Sequence, residues 1–400
     1  MHSLRIPTGL PFHTPQRHEA ALERSIPFNR PCLAGQELEY VRQAVDLGKL
    51  AGDGEFARRC AALLEERFQI AKVLLTNSCT AALEMAAMLC DFAPGDEVLL
   101  PSFTFVSTAN AVVRCGATPV FVDIRPDTLN LDDSLLESLV GPRTRAIVPV
   151  HYAGVGCAMG AISELAERHN LVVVEDAAQA VHASWEGRAL GSFGHLAAFS
   201  FHETKNFICG EGGALAINDA RFLKRAEILR DKGTDRQRFF RGEVDKYTWV
   251  DTGSSYTCSE LIAGFLYGQL EQLDQISARR EAVYQKYRTG LASLESAGHL
   301  KLPHVPENCQ TNFHMFYLLL NDEQTRDDLL VYLREQAIHA VFHYVPLHSS
   351  PMGRVVGKTP LPLPVTERVS SRLLRLPLFP DLSIDEQHRV IEAVQRFYDR

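Results

Sequence analysis

The sequence lacks the features that would place the protein in a membrane, in an oxidising compartment or on a nucleic acid. It contains no run of about 20 apolar residues that could span a bilayer, and residues 1–24 lack the apolar core of a secretory signal. Its 41 basic residues are outnumbered by 49 acidic ones, and the net charge of −8 argues against binding to nucleic acid or to an anionic membrane. Nine cysteines without a C-x-x-C pair indicate reduced thiols, a cytoplasmic location and no metal centre.

Apolar segments that alternate with helical ones predict an α/β fold. Between several short apolar runs, the apolar residues have the spacing of a helix, for example over 80–90 and 162–169. Strands that are apolar on both faces and separated by helices indicate a large, mostly parallel sheet, in which ligands gather at the carboxyl ends of the strands. The predicted strands are 73–76, 97–100, 119–122, 146–150, 171–175, 196–201 and 214–217.

The rest of the chain predicts a smaller C-terminal α+β domain. Segments 260–287 and 384–398 have helical spacing, and we expect the short apolar runs 317–320 and 340–342 to pair as strands. We therefore divide the chain into three parts. These are a loosely ordered extension, 1–24, a large domain, 25–250, and interdomain helices with the small domain, 251–400.

One lysine, Lys205, lies between two predicted buried strands. Most lysines are solvated surface charges. Here, however, the run 196–201 and the glycines before 214–217 place the lysine in a tight turn between apolar segments. Desolvation lowers the pKa of an amine and makes it nucleophilic, as is required of lysines that form Schiff bases with carbonyl compounds or pyridoxal phosphate. Lys205 is therefore a candidate catalytic residue.

Two further polar groups follow predicted strands. Asp176, in LVVVEDAAQA, either caps the next segment or keeps a pyridine nitrogen protonated, and Gln179 lies three residues on. Ser78, Cys79 and Thr80, in LLTNSCTAALEMAA, either form an ordinary helix cap or bind a phosphate at the helix N-terminus.

Two other residues complete this set. Ser200 offers a further hydroxyl near Lys205, and Phe105, in PSFTFVSTAN, either belongs to the core or stacks on a flat cofactor. The order of these parts along the chain, with the lysine 29 residues after Asp176, favours a pyridoxal phosphate site.

A second pattern competes with this interpretation. Gly154, Gly156 and Gly160 follow a predicted strand, and the acidic pair Glu175 and Asp176 comes about twenty residues later, as in a dinucleotide-binding fingerprint. The spacing is G-x-G-x-x-x-G, however, and the motif falls in the fourth strand–helix unit instead of the first. A nicotinamide-dependent oxidoreductase is therefore the alternative of another class.

The motifs quoted above, with several others, resemble those of the DegT/StrS sugar aminotransferases. The resemblance runs from about residue 26 to about 383 and keeps the cofactor motifs in the family's order. It implies an aspartate aminotransferase-like fold, pyridoxal phosphate fold type I. The segments GDGEFARRC, PSFTFVSTAN, FVDIRPDT, VPVHYAG, FSFHETKN and VDKYTW are similar to the WecE branch, the dTDP-4-amino-4,6-dideoxygalactose transaminases.

The resemblance implies a role for each candidate. Lys205 would carry the cofactor as a Schiff base, Asp176 would pair with the pyridine nitrogen, Gln179 would lie near the phenolic oxygen and Phe105 would stack on the ring. The phosphate would be held by the turn of Ser78, Cys79 and Thr80, by Ser200 and, from the neighbouring subunit of a homodimer, by Ser255. Cys79 stands where many relatives have glycine, and Ser255 stands where the family commonly has asparagine.

The resemblance also implies the reaction. L-Glutamate would donate its amino group to C4 of dTDP-4-dehydro-6-deoxy-D-glucose, with another nucleotide-linked keto sugar as the alternative acceptor. Related dehydratases have histidine in place of the lysine, so Lys205 favours transamination. A nucleotide diphosphate needs local positive charge in an acidic protein. The candidates for substrate binding are Arg30, Lys232, Arg236, Arg238, Arg241 and His343.

Overall fold

The computed structural model of the protein describes residues 25–400. The predicted extension, residues 1–24, lies outside the described residues. Two main sheets organise this part of the chain, one of seven strands and one of four. The division of domains at residue 250 stays a prediction.

The large sheet is formed by the first half of the chain. Its strand order is β1-β9-β8-β5-β4-β2-β3, and only β9 runs antiparallel to its neighbours. The mostly parallel sheet expected from the sequence is thereby confirmed. The strands of the large sheet are β1 (Lys72–Thr76), β2 (Glu97–Pro101), β3 (Thr118–Val122), β4 (Thr144–Ile147), β5 (Val172–Asp176), β8 (Leu196–Ser200) and β9 (Gly213–Ile217). A separate sheet is formed by three short strands, β6 (Ser184–Trp185), β7 (Arg188–Ala189) and β11 (Cys309–Gln310).

Helices cover both faces of the large sheet. Successive residues of a strand point to opposite faces, so Val73 and Leu75 of β1 pack in one apolar cluster and Leu74 in another. This burial on both sides explains why the strands are continuously apolar. The helices of this half are α1 (Glu37–Asp46), α2 (Glu55–Phe68), α3 (Cys79–Leu89), α4 (Val106–Arg114), α5 (Leu136–Leu139), α6 (Met159–Arg168), α7 (Leu223–Arg230) and α8 (Arg236–Phe240).

The second half of the chain supplies the small sheet and the longest helix. The elements are α9 (Glu260–Leu270), α10 (Leu273–Ser296), β10 (Leu300–Lys301), β12 (Phe316–Leu320), α11 (Glu323–Glu335), β13 (Val341–Phe342), α12 (Gly353–Val356), α13 (Pro364–Arg372), β14 (Leu373–Leu376) and α14 (Ile384–Tyr398). The expected pairing of the runs 317–320 and 340–342 is wrong. In the order β10-β12-β14-β13, β14 lies between them and pairs antiparallel with both. The apolar side chains of Leu374 and Leu376 draw β14 into the centre, because they pack in the core of the small sheet.

Candidate active site

A cavity of about 890 Å³ opens where the strands of the large sheet end. Its walls come from the segments that follow β1, β2, β5 and β8 and from the region of β13 and β14 in the small sheet. The position agrees with the rule that ligands of parallel sheets bind at the carboxyl ends of the strands, and the size suits a small-molecule site. The predicted residues that line it are Ser78, Cys79, Thr80, Phe105, Asp176, Gln179, Ser200, Lys205 and His343.

Lys205 lies in the turn between β8 and β9, as predicted. The turn is closed by backbone hydrogen bonds, among them one from the Lys205 N–H to the His202 carbonyl at 2.9 Å. Burial lowers the pKa of the Lys205 amine below its ordinary value, although the nearby charge of Asp176 acts in the opposite direction. A lysine in this state has a larger neutral, nucleophilic fraction than a solvated one.

Asp176 is the last residue of β5 and is 4% exposed. One carboxylate oxygen accepts a hydrogen bond from the Thr108 hydroxyl at 2.7 Å, and the other accepts from the Ala178 N–H at 3.2 Å. Thr108 is itself 3.0 Å from the Thr104 hydroxyl. Thr108 was not among the predicted residues, because it lies 68 positions from Asp176 in the chain. These contacts hold a carboxylate at the floor of the cavity.

The neighbouring residue Glu175 points to the other face of the sheet. It accepts hydrogen bonds from three backbone N–H groups, those of Gly191, Phe193 and Gly194, and lies 2.8 Å from Nε2 of His151. All of Glu175 is buried. Its role is to fix the end of β5, and it leaves Asp176 as the carboxylate that faces the cavity.

The glycines of the competing dinucleotide pattern serve packing. A Cβ on Gly154 would lie 2.0 Å from Oδ1 of Asn312, and one on Gly156 would lie 2.9 Å from Cβ of Trp185. Gly160 also faces the ring of Trp185. No space for a pyrophosphate remains at these positions, because they are filled by Trp185 and Asn312.

The N-terminus of α3 presents donors for a phosphate. Ser78 is its N-cap, and the Ser78 hydroxyl accepts from the Ala81 N–H at 3.1 Å. Thr80 lies 2.8 Å from the hydroxyl of Ser107, a residue that the sequence analysis missed. Burial raises the pKa of the Cys79 thiol well above its ordinary value, so this residue is uncharged and adds no repulsion to an anion.

The structure brings the β9 backbone against this turn. In the sheet register Gly213 pairs with both Thr76 and Ser200, so it lies between the ends of β1 and β8. A Cβ at Gly213 would meet the backbone of Ser78 and Cys79 at 2.4 Å. Glycine is required here by close approach of two backbones.

Aromatic and amide groups form the other walls. Phe105 is 56% exposed although it is a large apolar residue, and its ring faces the cavity. Gln179 accepts from the Ala153 N–H at 2.7 Å and donates to the Tyr344 hydroxyl at 2.9 Å. Tyr344 stacks on His343, with ring centroids 3.6 Å apart. Nδ1 of His343 lies 2.6 Å from the hydroxyl of Tyr152, and burial lowers the pKa of His343 well below its ordinary value.

Three basic residues near Lys205 were not predicted as site residues. His314 lies 2.8 Å from the side-chain oxygen of Asn206, and burial, reinforced by the charge of Lys205, lowers its pKa. Arg280 and Arg375 also line the cavity. No local motif marks them, because they reach the cavity from elements that lie more than 70 residues away in the sequence.

The other predicted basic residues lie away from the cavity of their own chain. Arg30 pairs with Glu386 at 3.4 Å. The remaining ones pair with carboxylates of the segment around α7 and α8, and none of them lines the cavity. These are Lys232 and Arg236 with Asp231, Arg238 with Asp235 and Glu243, and Arg241 with Glu227 and Glu243. Ser255 likewise lies outside it, and its carbonyl accepts from Asn77 at 3.2 Å.

Within residues 25–400, no helix has the length and apolarity needed to cross a bilayer. No cluster of three metal-ligating side chains occurs in this range either. The residues present fit pyridoxal phosphate on structural grounds. A buried amine with a lowered pKa, a fixed carboxylate, a helix N-terminus with hydroxyls and an exposed aromatic ring all face one cavity.

Comparisons with known proteins identify the family of the chain. The profile of the DegT/DnrJ/EryC1/StrS aminotransferase family matches residues 31–395. The spore coat polysaccharide biosynthesis protein SpsC of Bacillus subtilis (strain 168) is 34% identical over 381 residues, which cover 92% of this chain and 96% of SpsC.

Two solved structures are similar over nearly their whole length. DesV of S. venezuelae, in complex with a ketimine intermediate, has 34% identity and a TM-score of 0.85, with 94% of this chain and 99% of that chain covered. The PLP-form of the putative sugar aminotransferase Spr1654 of Streptococcus pneumoniae has 25% identity and a TM-score of 0.86, with the same coverage. The chain therefore belongs to the DegT/DnrJ/EryC1/StrS family, and it is a pyridoxal phosphate-dependent sugar aminotransferase of fold type I.

Proposed function

We propose that the protein transfers the amino group of L-glutamate to C4 of dTDP-4-dehydro-6-deoxy-D-glucose. The products are dTDP-4-amino-4,6-dideoxy-D-galactose and 2-oxoglutarate. The observation that carries the aminotransfer is the placement of Lys205 and Asp176 in one cavity, with burial lowering the pKa of the lysine. The choice of sugar and donor rests on the similarity of the motifs to the WecE branch.

When bound, pyridoxal phosphate supplies an aldehyde that accepts the amino group and a ring that withdraws electrons from the neighbouring carbon. Lys205 removes the proton from the α-carbon of glutamate, and in the second half of the reaction it delivers a proton to C4 of the sugar. The amine is suited to both tasks because burial brings its pKa closer to neutral pH. Asp176 would hold the nitrogen of the cofactor ring, and Thr108 orients the carboxylate.

The remaining residues bind and orient. Ser78, Thr80 and Ser200, with the N–H groups at the start of α3, would hold the phosphate of the cofactor. Phe105 would cover one face of the cofactor ring and exclude water from it, and Gln179 would lie near the ring's phenolic oxygen.

We also propose that the enzyme works as a cytoplasmic homodimer with its active sites at the subunit interface. All nine cysteines are free thiols, as expected in a reducing compartment. Phe240 and Trp249, beside the basic segment of α8, are 61% and 76% exposed, which is typical of a surface that a second copy covers. In such a dimer the basic side chains and Ser255 reach the partner's cavity. The similarity to a spore coat polysaccharide protein supports a role for the product in a cell-surface glycan.

Borohydride reduction of the cofactor-loaded protein followed by peptide mapping tests the lysine. We expect the pyridoxyl label on Lys205 and its loss in Lys205→Ala, whereas Lys224→Ala, which changes an exposed lysine of α7, keeps it. A label on another residue contradicts the mechanism. Incubation with glutamate and a panel of nucleotide-linked keto sugars, with the product determined by NMR, tests the substrate. Amination of a different sugar, or at a carbon other than C4, contradicts the proposed reaction.

A further inference from the structure

Two histidines line the cavity with Lys205, and each uses one ring nitrogen inside the protein. Nδ1 of His343 lies 2.6 Å from the hydroxyl of Tyr152, and Nδ1 of His314 lies 2.8 Å from Oδ1 of Asn206. Burial lowers the pKa of both histidines well below the ordinary value, so both rings are neutral at neutral pH. In a neutral imidazole one nitrogen donates and the other accepts, so the partner of Nδ1 decides what Nε2 can do.

The partner of His343 is a donor. Burial raises the pKa of Tyr152 well above its ordinary value, so the phenol keeps its proton. Tyr152 is completely buried, and among residues 25–400 its hydroxyl hydrogen-bonds to Nδ1 of His343 alone. The O–H therefore donates to Nδ1, and this hydrogen bond assigns the proton of the His343 ring to Nε2.

The partner of His314 is an acceptor. The side-chain nitrogen of Asn206 donates to the backbone carbonyl of Asn312 at 2.7 Å, which turns the side-chain oxygen of Asn206 towards His314. Nδ1 of His314 therefore carries the proton and donates to this oxygen, and Nε2 keeps a lone pair. The two rings thus have opposite tautomers.

Nε2 of each ring is open to the cavity. In the part of the chain that the structure describes, neither atom has a hydrogen-bond partner, and neither is enclosed by other protein atoms. The ring of His343 is also fixed in its plane. Tyr344 stacks on it with centroids 3.6 Å apart, and Phe103 meets it edge-on at 6.2 Å. The cavity wall therefore offers one N–H and one lone pair in defined places.

From this geometry, and resting on the proposed function, we infer that Tyr152 and Asn206 are positioning residues, which fix a donor on His343 and an acceptor on His314 for one hydroxyl group of the keto sugar. A hydroxyl accepts one hydrogen bond and donates another, so it fits between an N–H and a lone pair. A carboxylate or a phosphate only accepts, and the lone pair of His314 disfavours both.

The hydroxyl is the one on C3 of the sugar. The charge of Lys205 contributes to the lowered pKa of both histidines, so the two rings lie near the amine. Lys205 acts at C4, whose neighbours in a 6-deoxy sugar are C3 and C5. C3 carries a hydroxyl, whereas C5 carries the ring oxygen and a methyl group. L-Glutamate has no hydroxyl, so we expect the pair to act in the half-reaction of the sugar.

Long-range hydrogen–nitrogen correlation spectra of the cofactor-loaded protein, labelled with nitrogen-15 histidine, test the tautomers directly. We expect a protonated Nε2 for His343 and a protonated Nδ1 for His314 at neutral pH. The loss of one set of signals in His343→Gln and of the other in His314→Gln assigns them. Any other combination of protonated nitrogens in the wild type overturns the inference. These spectra need no tyrosine variant, so they decide the matter even if Tyr152→Phe does not fold.

Removal of the hydroxyl from the substrate tests the ligand. With the amine form of the enzyme, we expect kcat/KM of the wild type to be about 10- to 100-fold lower for the 3-deoxy analogue than for the keto sugar, because two groups of the protein lose their partner. In Tyr152→Phe the proton of His343 is no longer confined to Nε2. We expect kcat/KM for the keto sugar to fall by about 3- to 10-fold, and the preference over the analogue to shrink by the same factor.

Tyr287→Phe is the matched control. It also removes a buried tyrosine hydroxyl, which donates to the Pro377 carbonyl at 2.9 Å in the core of the small sheet. We expect its preference for the keto sugar over the 3-deoxy analogue to stay within about twofold of the wild type, whatever its melting temperature. An equal loss of preference in both variants, or an unchanged preference in Tyr152→Phe, overturns the inference.

The proposed function fails separately. If the spectra show the two inferred tautomers and product analysis shows amination of a different keto sugar, the donor and acceptor stand and the sugar assignment falls. If the proposed sugar is aminated at C4 but its 3-deoxy analogue is processed equally well, the sugar assignment stands and the inference about the two histidines is wrong.

Discussion

The hydroxyl of Thr108 is expected to be needed for activity although it touches no substrate. It donates to the buried carboxylate of Asp176 at 2.7 Å. The substitution Thr108→Val keeps the shape of the side chain and removes the donor. One oxygen of Asp176 is then left without a hydrogen bond from the protein, and only the Ala178 N–H at 3.2 Å remains on the other.

The magnitude follows from the kind of bond. A hydrogen bond to a charged group is worth about 1.5 to 3 kcal/mol, and leaving a buried acceptor unpaired has a similar unfavourable effect. About 1.4 kcal/mol corresponds to a factor of ten. If the charge of Asp176 stabilises the reacting state through the cofactor ring, we expect kcat/KM for glutamate to fall by about 10- to 100-fold in Thr108→Val.

Stopped-flow measurement of the glutamate half-reaction, followed by the absorbance change of the cofactor, provides the assay. Thr108→Ser retains the hydroxyl and is the matched control, with kcat/KM expected within about threefold of the wild type. A role confined to folding would lower the melting temperature of Thr108→Val and leave the half-reaction rate unchanged. That result, or equal rates for the valine and serine variants, would refute the reasoning.

Three other substitutions have defined outcomes. Because burial lowers the pKa of Lys205 below 10.5, the unfolded chain binds its proton more tightly than the folded one. Lys205→Met should therefore raise the melting temperature of the cofactor-free protein at low and neutral pH, and calorimetry should find that the gain shrinks as pH rises from the lowered pKa towards 10.5. Glu260→Gln should reduce the free energy of unfolding by about 2 kcal/mol in denaturant titrations, since the carboxylate accepts the N–H groups of Gly54 and Phe56, both at 2.8 Å, at the start of α2. Gly213→Ala should weaken pyridoxal phosphate binding by about tenfold in a spectroscopic titration, because a Cβ would push against the helix start of α3, whereas Gly141→Ala, where a Cβ meets nothing within 4 Å, should not.

Much of the large sheet could be predicted from the sequence. The predicted strands 97–100 and 214–217 differ by one residue from β2 and β9. They could be predicted because a run of apolar residues that is bounded by glycines or polar turn residues indicates a locally buried strand. Because ligands of parallel sheets bind at the strand ends, Lys205 and Asp176 could be predicted as site residues, and both line the cavity. These results depend on patterns within a few residues.

The small sheet was harder to predict because its strands are short. Strand β14 follows α13 without a break, and its run LLRL contains a charged residue, so its central place between β12 and β13 was missed. The side chain of Arg375 was missed for the same reason. Nothing in the local sequence distinguishes a half-buried cavity arginine from a solvated one.

By itself the sequence determined the alternation of strands and helices, the turn that holds Lys205 and the acidic residue at the end of β5. Tertiary structure alone decided that β9 runs against its neighbours, that Thr108 meets Asp176 and that Arg375 faces the same cavity as Lys205. The physical reason is that backbone periodicity and burial act over a few residues, so that secondary structure can be inferred from the order of apolar side chains in the sequence. The partners of a polar side chain, in contrast, are set by which distant segments the closed sheets bring within hydrogen-bonding distance.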